Sequence, residues 1–269
     1  MSTSYPFILA HGICPIDRIV IPFLGRRNRD DDRFNYFRNI RSALMDAGFT
    51  VFHSRVSWAA ELDRRAQDLK DEIVRITDYF SKWPRIHIIA HSMGGLDSRW
   101  MIYKYRMEMH IASLTTIGTP HLGTSLATHR LKRFGGLIPL AGVMGLNIRG
   151  FRDLTQEACR KLNRRIGDFE EHNGVLYRTV AGVQPLDRIC FFMRSGHKII
   201  WDAEGENDGL VSLKSAKWKR RYFLKKIDAD HFNQIGMWNR GQAKARRDKK
   251  TFEKWIQGIY LEIARGLKD

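Results

Sequence analysis

The most constraining feature of the sequence is the stretch Arg85–Gly95, which reads RIHIIAHSMGG. An apolar run ends abruptly at a serine, and two glycines follow before a helical pattern begins at Leu96. This pattern predicts a buried strand that turns sharply into a helix, with the Ser92 hydroxyl held at the tip of the turn. The motif has the form Ala-x-Ser-x-Gly, in which Ala90 replaces the usual glycine with the next smallest residue. The same pattern also fits an ordinary strand-to-helix turn that happens to carry a serine.

Strand and helix patterns alternate along the chain, which predicts a mostly parallel sheet with helices on both faces. Asp30–Asp32 is expected to cap a helix that Gly48 ends, and Ser57 to cap a long amphipathic helix. No repeat or linker interrupts residues 1–269, so a single domain is expected. The predicted strands are Tyr5–Ala10, Phe49–Val56, Arg85–Ala90, Ile111–Ile117, Val175–Ala181, a short one at Lys198–Trp201, and Tyr222–Ile227.

Residues of about 125–150, after the strand that ends near Ile117, break this alternation. They include an apolar, glycine-rich run that would make a poor core helix or strand, because glycine and Pro139 weaken both. We interpret the segment as a mobile lid over an apolar site, although an ordinary packed insertion would also fit. The side chains expected to contact substrate are Leu137, Ile138, Leu140, Val143, Met144 and Leu146.

The net charge of +17 favours anionic partners such as a membrane or lipid-droplet surface. A generally basic surface without a specific partner explains the charge equally well. No zinc-finger spacing or RNA-binding aromatic motif accompanies it, so no nucleic acid is expected. The three cysteines match neither a disulfide framework nor a zinc site. No export signal is recognised, which favours a cytoplasmic or peripheral membrane location, or secretion if a leader has been removed.

A serine nucleophile needs a histidine base and a carboxylate that holds the base. In α/β-hydrolases the acid and then the base follow the serine along the chain, each beyond the end of a strand. His231 follows the last predicted strand directly, and Asp208 lies in the loop region before that strand. Asp202 and Asp187 are alternative acids, and Asp208 could also be only the turn residue of an Asp-Gly pair.

The oxyanion of a tetrahedral intermediate requires two backbone N–H donors. One is expected from Met93, which follows the serine at a helix N-terminus. The other is expected from Ile13, in the loop after the first strand, where Gly12 lets the backbone turn. The neighbouring His11 is expected to have a structural role in that loop.

Five motifs together resemble the bacterial true lipases of the α/β-hydrolase fold, the group of the Pseudomonas, Burkholderia and Proteus triacylglycerol lipases. They are LAHG from Leu9, AHSMGG from Ala90, TIGTPH from Thr116, NDGLV from Asn207 and DH at Asp230. The resemblance spans residues 5 to about 235. It implies Ser92 as nucleophile, Asp208 as acid, His231 as base, and Ile13 and Met93 as oxyanion donors, with a lid near residues 125–150.

Three features depart from that family. Its members commonly bind a structural calcium through an aspartate two residues after the base, where this chain has Asn233, so no calcium or other cofactor is expected. Some members brace the loop of the acid with a disulfide, for which Cys190 has no evident partner. The family is largely secreted, whereas no signal is evident here.

The expected function is hydrolysis of acyl esters of lipids through an acyl-enzyme on Ser92. A short-chain esterase, a thioesterase or an acyltransferase would use the same three residues. A different class, a basic protein that binds membrane surfaces on a hydrolase fold, also remains open from the sequence.

Overall fold

Six parallel strands form one sheet in the order β2-β1-β3-β4-β5-β6 in the computed structural model. It describes residues 5–12, 32, 35–57, 60–134, 149–245 and 247–267. The strands are β1 (Phe7–Ala10), β2 (Val51–His53), β3 (Ile86–His91), β4 (Ile111–Ile117), β5 (Leu176–Gly182) and β6 (Phe223–Ile227).

The central strands are buried on both faces, which explains their continuous apolar sequences. Every residue of β3 is buried. In β1 the side chains alternate between two cores: Ile8 packs on one side of the sheet, and Phe7 and Leu9 pack on the other. The sheet therefore separates two hydrophobic cores that only helices on both faces can complete.

The core that contains Ile8 includes side chains of helices α2 (Leu62–Ile76), α3 (Met93–Lys104) and α6 (Gln156–His172). The other core includes side chains of α1 (Ile40–Asp46) and α10 (Lys249–Arg265). The predicted mostly parallel sheet with helices on both faces is thus confirmed. The helices are α1 (Ile40–Asp46), α2 (Leu62–Ile76), α3 (Met93–Lys104), α4 (Ser125–Phe134), α5 (Arg149–Asp153), α6 (Gln156–His172), α7 (Arg194–Glu204), α8 (Leu213–Lys217), α9 (Arg240–Lys244) and α10 (Lys249–Arg265).

Three local predictions are wrong. Ser57 does not cap the long amphipathic helix, because that helix begins only at Leu62, five residues later, and Glu61 stands at its N-cap. The segment Lys198–Trp201 lies within helix α7 and not in a strand. Its β-branched residues suggested a strand, but burial of His197 and Ile200 with exposure of Trp201 follows the helical period. Asp32 does not cap a helix: its carboxylate accepts hydrogen bonds from Ser42, and α1 begins only at Ile40.

The carboxyl ends of all six strands lie at one edge of the sheet, because the strands are parallel. The connections that leave this edge carry the residues that the sequence analysis selected. Helix α4 and the start of α5 fall within the predicted lid of about 125–150, whose apolar residues Leu137, Ile138, Leu140, Val143, Met144 and Leu146 lie outside the described residues. Among the described helices, none is both long and apolar enough to cross a membrane.

Candidate active site

The serine turn has the strained geometry that the sequence predicts. Ser92 joins β3 directly to α3 with φ of 55° and ψ of −130°, a conformation that L-residues rarely adopt. Such a residue costs roughly 1–3 kcal/mol and persists only where its surroundings hold it. Here the Ser92 carbonyl accepts a hydrogen bond of 2.7 Å from the Thr119 hydroxyl, and its N–H donates to the Ile117 carbonyl at 3.0 Å.

The two glycines after the serine are required by neighbouring chain. A Cβ atom at Gly94 would lie 2.5 Å from the carbonyl oxygen of His11 and 2.7 Å from that of Ala10. A Cβ at Gly95 would lie 2.2 Å from the Thr119 hydroxyl oxygen. The glycines therefore let β1 and the loop after β4 close on the start of α3.

The structure brings Ser92, His231 and Asp208 into one hydrogen-bonded chain. His231 Nε2 lies 2.9 Å from Ser92 Oγ, and His231 Nδ1 lies 2.7 Å from Asp208 Oδ2. The backbone N–H of His231 also donates to the Asp208 carbonyl at 2.9 Å, which fixes the two loops to each other. The three side chains are buried. This arrangement allows a proton to pass from the serine to the histidine.

Asp208 accepts hydrogen bonds at both carboxylate oxygens. Oδ1 accepts from the N–H groups of Leu210 and Val211 at 2.9 and 2.8 Å. Oδ2 accepts from His231 and also from Gln234 Nε2, at 2.7 Å. Asp208 is therefore more than the turn residue of its Asp-Gly pair, because four donors point at its carboxylate.

Gln234 is the residue that sequence reasoning missed. Its side chain fills the space next to Gly118, directly after β4, and Gly182, the last residue of β5. A Cβ at either glycine would lie 2.3 Å from a terminal atom of the Gln234 amide. The Gln234 carbonyl accepts a hydrogen bond of 2.8 Å from the Tyr260 hydroxyl, so the main chain is also fixed. Two glycines at neighbouring strand ends were the only sequence signal for a large side chain in that space.

The alternative acids and an upstream histidine lie in other environments. Asp187 forms an ion pair with Lys244 at 3.3 Å, and Asp202 is exposed on α7. His121 is buried against the Trp218 ring, with its two nitrogens 3.2 Å from Arg99 and 2.8 Å from a threonine hydroxyl. Burial, reinforced by the nearby guanidinium, holds the pKa of His121 well below 6.5, so the ring is neutral.

His91, the residue before the serine, lies 4.5 Å from His231 between ring centroids. Its Nδ1 lies 2.8 Å from the Tyr36 hydroxyl. Burial and, secondarily, the charge of a protonated His231 hold the pKa of His91 well below 6.5. A neutral His91 places no second positive charge beside His231 when that ring takes up a proton.

One of the two expected oxyanion donors lies within the described residues. Met93 is the first residue of α3, so no carbonyl of the helix can accept its N–H. Ile13 lies outside the described residues. Gly12, which precedes it, runs against the serine: a Cβ there would lie 2.8 Å from Ser92 Cβ. The His11 ring contacts the loop at Val56, whose N–H lies 3.4 Å from Nε2.

The loop of the base is held by hydrogen bonds around Asp230. Its Oδ2 accepts from Cys190 N and Asn239 Nδ2, at 2.9 and 2.6 Å. Its Oδ1 accepts from two backbone N–H groups, including that of Asn233 at 2.8 Å. Burial raises the pKa of the Asp230 carboxyl to about 6.

Asn233, at the position of the family's calcium ligand, uses its whole amide in hydrogen bonds. Oδ1 accepts from Asp230 N and Gln242 Nε2, and Nδ2 donates to the Met237 carbonyl at 2.8 Å. These residues do not fit a calcium site, because the side-chain oxygen of Asn233 already accepts two hydrogen bonds. No cluster of three metal-binding side chains occurs in the described part of the chain. Its two cysteines, Cys159 and Cys190, are free.

The chain matches one protein-family model and is similar in sequence to lipases. Residues 33–134 match the model of a PGAP1-like alpha/beta domain. The chain is 29% identical over 239 residues to triacylglycerol lipase 2 of Saccharomyces cerevisiae, covering 85% of this chain and 72% of that protein. It is 30% identical over 127 residues to a triacylglycerol lipase of Pseudomonas fragi, covering 47% of this chain and 38% of that protein.

Among solved structures, the mature form of a Bacillus licheniformis lipase superposes with a TM-score of 0.66 at 20% identity, covering 85% of each chain. At 20% identity this structural similarity shows a shared fold and nothing about activity. The sheet order, the serine turn and the similar proteins all point to the same fold. The chain has the α/β-hydrolase fold, and its sequence is similar to triacylglycerol lipases from a yeast and from a bacterium.

Proposed function

We propose that the chain hydrolyses acyl esters of lipids, with Ser92 as nucleophile, His231 as general base and acid, and Asp208 as the carboxylate that orients the base. The observation that carries the proposal is the continuous hydrogen-bonded chain from Ser92 Oγ through the imidazole to Asp208. The strained serine turn supports it, because a fold maintains such a conformation where it has a use.

In the proposed reaction, Ser92 Oγ attacks the ester carbonyl carbon while its proton passes to His231 Nε2. Asp208 stabilises the resulting imidazolium through Nδ1–H. The N–H of Met93, with Ile13 as the second proposed donor, donates a hydrogen bond to the carbonyl oxygen and stabilises the negative charge that develops there. The imidazolium then gives its proton to the leaving alcohol, which leaves an acyl group on the serine. Water activated by the same imidazole removes the acyl group as the free acid.

Lipid esters are the proposed substrate class because the relatives from Saccharomyces cerevisiae and Pseudomonas fragi are triacylglycerol lipases and because the five motifs resemble the bacterial true lipases. We propose that the apolar segment with Leu137–Leu146 covers or lines the acyl site. We also propose that the chain needs neither calcium nor another cofactor, which the hydrogen bonds of Asn233 support.

The test is the variant Ser92→Ala, with Ser98→Ala as its matched control. Ser98 is also buried, six residues along α3, and only donates to the Gly94 carbonyl at 2.7 Å. We expect Ser92→Ala to abolish ester hydrolysis and labelling by a fluorophosphonate, with an unchanged melting curve. We expect Ser98→Ala to keep both. Full hydrolysis by Ser92→Ala would contradict the assignment of the nucleophile.

A profile of p-nitrophenyl esters from acetate upward, together with emulsified triglyceride, tests the substrate. Longer chains and emulsion should be hydrolysed. An optimum at acetate without activity on emulsion would instead indicate a short-chain esterase, and a preference for acyl thioesters would indicate a thioesterase.

A further inference from the structure

Two adjacent phenylalanines stand exposed beside the active site. Phe191 and Phe192 are 76% and 83% exposed, and only Tyr79 is comparably exposed among the described phenylalanines, tyrosines and tryptophans. Their rings contact each other edge to face, with centroids 5.8 Å apart. A pair of neighbouring aromatic rings in water is unfavourable unless another surface covers them.

The pair is fixed to the catalytic loops. Cys190, just before it, donates its N–H to Asp230, the neighbour of His231. Met193, just after it, packs on Gly209, the neighbour of Asp208: a Cβ at Gly209 would lie 3.0 Å from Met193 Cβ. The phenylalanines therefore lie at the same edge of the sheet as the serine, on a turn (Phe191–Met193) held from both ends.

Exposed cations lie on and against the helix that follows the pair. Helix α7 begins directly after the turn and exposes Arg194, Lys198 and Trp201, which the spacing of four and three residues places on one face. Arg130, on α4, reaches this helix with its guanidinium 3.4 Å from Ser195 Oγ. Among the described residues, none of these three cations has a carboxylate within ion-pair distance. Two exposed acidic residues lie near them: Asp202 on α7, and Asp187, whose carbonyl accepts a hydrogen bond from Arg194 and whose carboxylate pairs with Lys244.

We propose that Phe191, Phe192, Trp201, Arg130, Arg194 and Lys198, here termed the aromatic-basic patch, dock the protein on an anionic lipid surface. Aromatic rings enter the boundary between headgroups and acyl chains, while cations bind the anionic headgroups. Docking through this patch directs the edge that carries Ser92 toward the lipid. The inference rests on the proposed lipid substrate, since it gives the enzyme a reason to present that edge.

Vesicle sedimentation tests the patch in full-length protein carrying Ser92→Ala, so that no lipid is hydrolysed. The vesicles contain phosphatidylcholine alone or mixed with phosphatidylglycerol. We expect Phe191→Ser with Phe192→Ser to weaken binding to mixed vesicles at least about tenfold. We expect Arg194→Gln with Lys198→Gln to weaken it about thirtyfold at low salt, and to change binding to phosphatidylcholine alone much less.

Matched controls come from the opposite edge of the sheet. Tyr79→Asn removes an equally exposed ring after α2, and Lys82→Gln with Arg106→Gln removes two exposed cations before β3 and β4. These variants should bind mixed vesicles as the parent does. The proposal is overturned if the parent does not bind vesicles, or if the patch variants lose no more affinity than the controls. The proposal is also overturned if light scattering shows that the parent self-associates through these residues, so that the patch variants lose the self-associated form and not vesicle binding.

Failure of the proposed function is distinguishable from failure of the docking patch. Protein with Ser92 intact is assayed in parallel on a water-soluble butyrate ester and with a fluorophosphonate. No reaction in either assay would refute the esterase mechanism, whatever the vesicle result. Reaction in both assays, together with vesicle binding that the patch variants do not weaken, would refute the docking surface alone.

Discussion

Replacing Asp208 by asparagine tests the catalytic assignment more sharply than deleting the serine. The amide has one oxygen and one NH₂ group where the carboxylate has two acceptors. If the NH₂ group faced Leu210 and Val211, the two backbone N–H groups would face another donor and lose their acceptor. Each unsatisfied group would cost about 1–3 kcal/mol of stability. The oxygen should therefore stay with these N–H groups, and the NH₂ group should face His231 and Gln234.

That orientation can be satisfied locally. Gln234 can turn its amide so that Oε1, which has no partner in the described structure, accepts one hydrogen of the new NH₂ group. His231 Nδ1 can accept the other only in the tautomer that carries its proton on Nε2. This tautomer cannot accept the proton of Ser92, so the fold should survive while catalysis fails.

We expect Asp208→Asn to lower kcat by about 10⁴-fold, the loss typical of a base held in the wrong tautomer. This corresponds to about 5 kcal/mol in the activation free energy. The free energy of unfolding should fall by no more than about 1–2 kcal/mol, since the variant leaves no more buried groups unpaired than the wild type: Gln234 Oε1 gains a partner where Nε2 loses one. Initial rates on p-nitrophenyl butyrate and urea unfolding measure the two quantities.

Asp202→Asn is the matched control, because this carboxylate is exposed on α7 and was an alternative acid. It should keep its activity on the soluble ester. A kcat loss below about a hundredfold in folded Asp208→Asn protein would refute the tautomer argument. An equal loss in both variants would show that the assay responds to surface charge.

Three further predictions concern the surroundings of the site. Gly182→Ala should lower the free energy of unfolding by about 1–3 kcal/mol or more in urea titrations, because its Cβ would meet the Ala229 carbonyl at 2.5 Å and the Gln234 amide at 2.3 Å. Asp230 has a pKa of about 6 in the folded protein against 3.8 ordinarily, so stability should fall as pH rises from about 4 to 7. Relative to Asp230→Asn, the wild type should lose up to about 3 kcal/mol over that range. A calcium chelator should change neither melting temperature nor ester hydrolysis, because Asn233 lacks a free ligand atom.

Much of the site could be predicted because chain order determines it. In a parallel sheet every strand ends at the same edge, so a serine, an aspartate and a histidine that follow strands of that sheet lie at one edge and can meet. The prediction of Ser92, Asp208 and His231 used this rule together with the resemblance of the five motifs to the bacterial true lipases. Assignment of Lys198–Trp201 failed because three bulky residues in a row fit a buried strand as well as one turn of a helix, and only packing around His197 decides between them.

Contacts between segments distant in sequence could not be predicted. The pairing of Gln234 with Asp208, and of Tyr36 with His91, depends on how loops from different strands meet to within an ångström. The exposure of Phe191 and Phe192 likewise follows from the turn that Cys190 and Met193 hold, since a pair of phenylalanines in sequence normally indicates core.

Hydrogen bonds brace the loop of His231, which supports the proposal that the chain needs no calcium ion. In the resembling lipases a calcium beside the catalytic histidine holds this loop. Here the Asp230 carboxylate collects four N–H donors, from the segment before Phe191 as well as from its own loop. Asn233 completes the brace by linking Asp230 N to Gln242. The same carboxylate holds both the segment before the exposed phenylalanines and the loop of His231. The proposed docking therefore orders neither loop, and the free energy of binding is not reduced by the cost of ordering them.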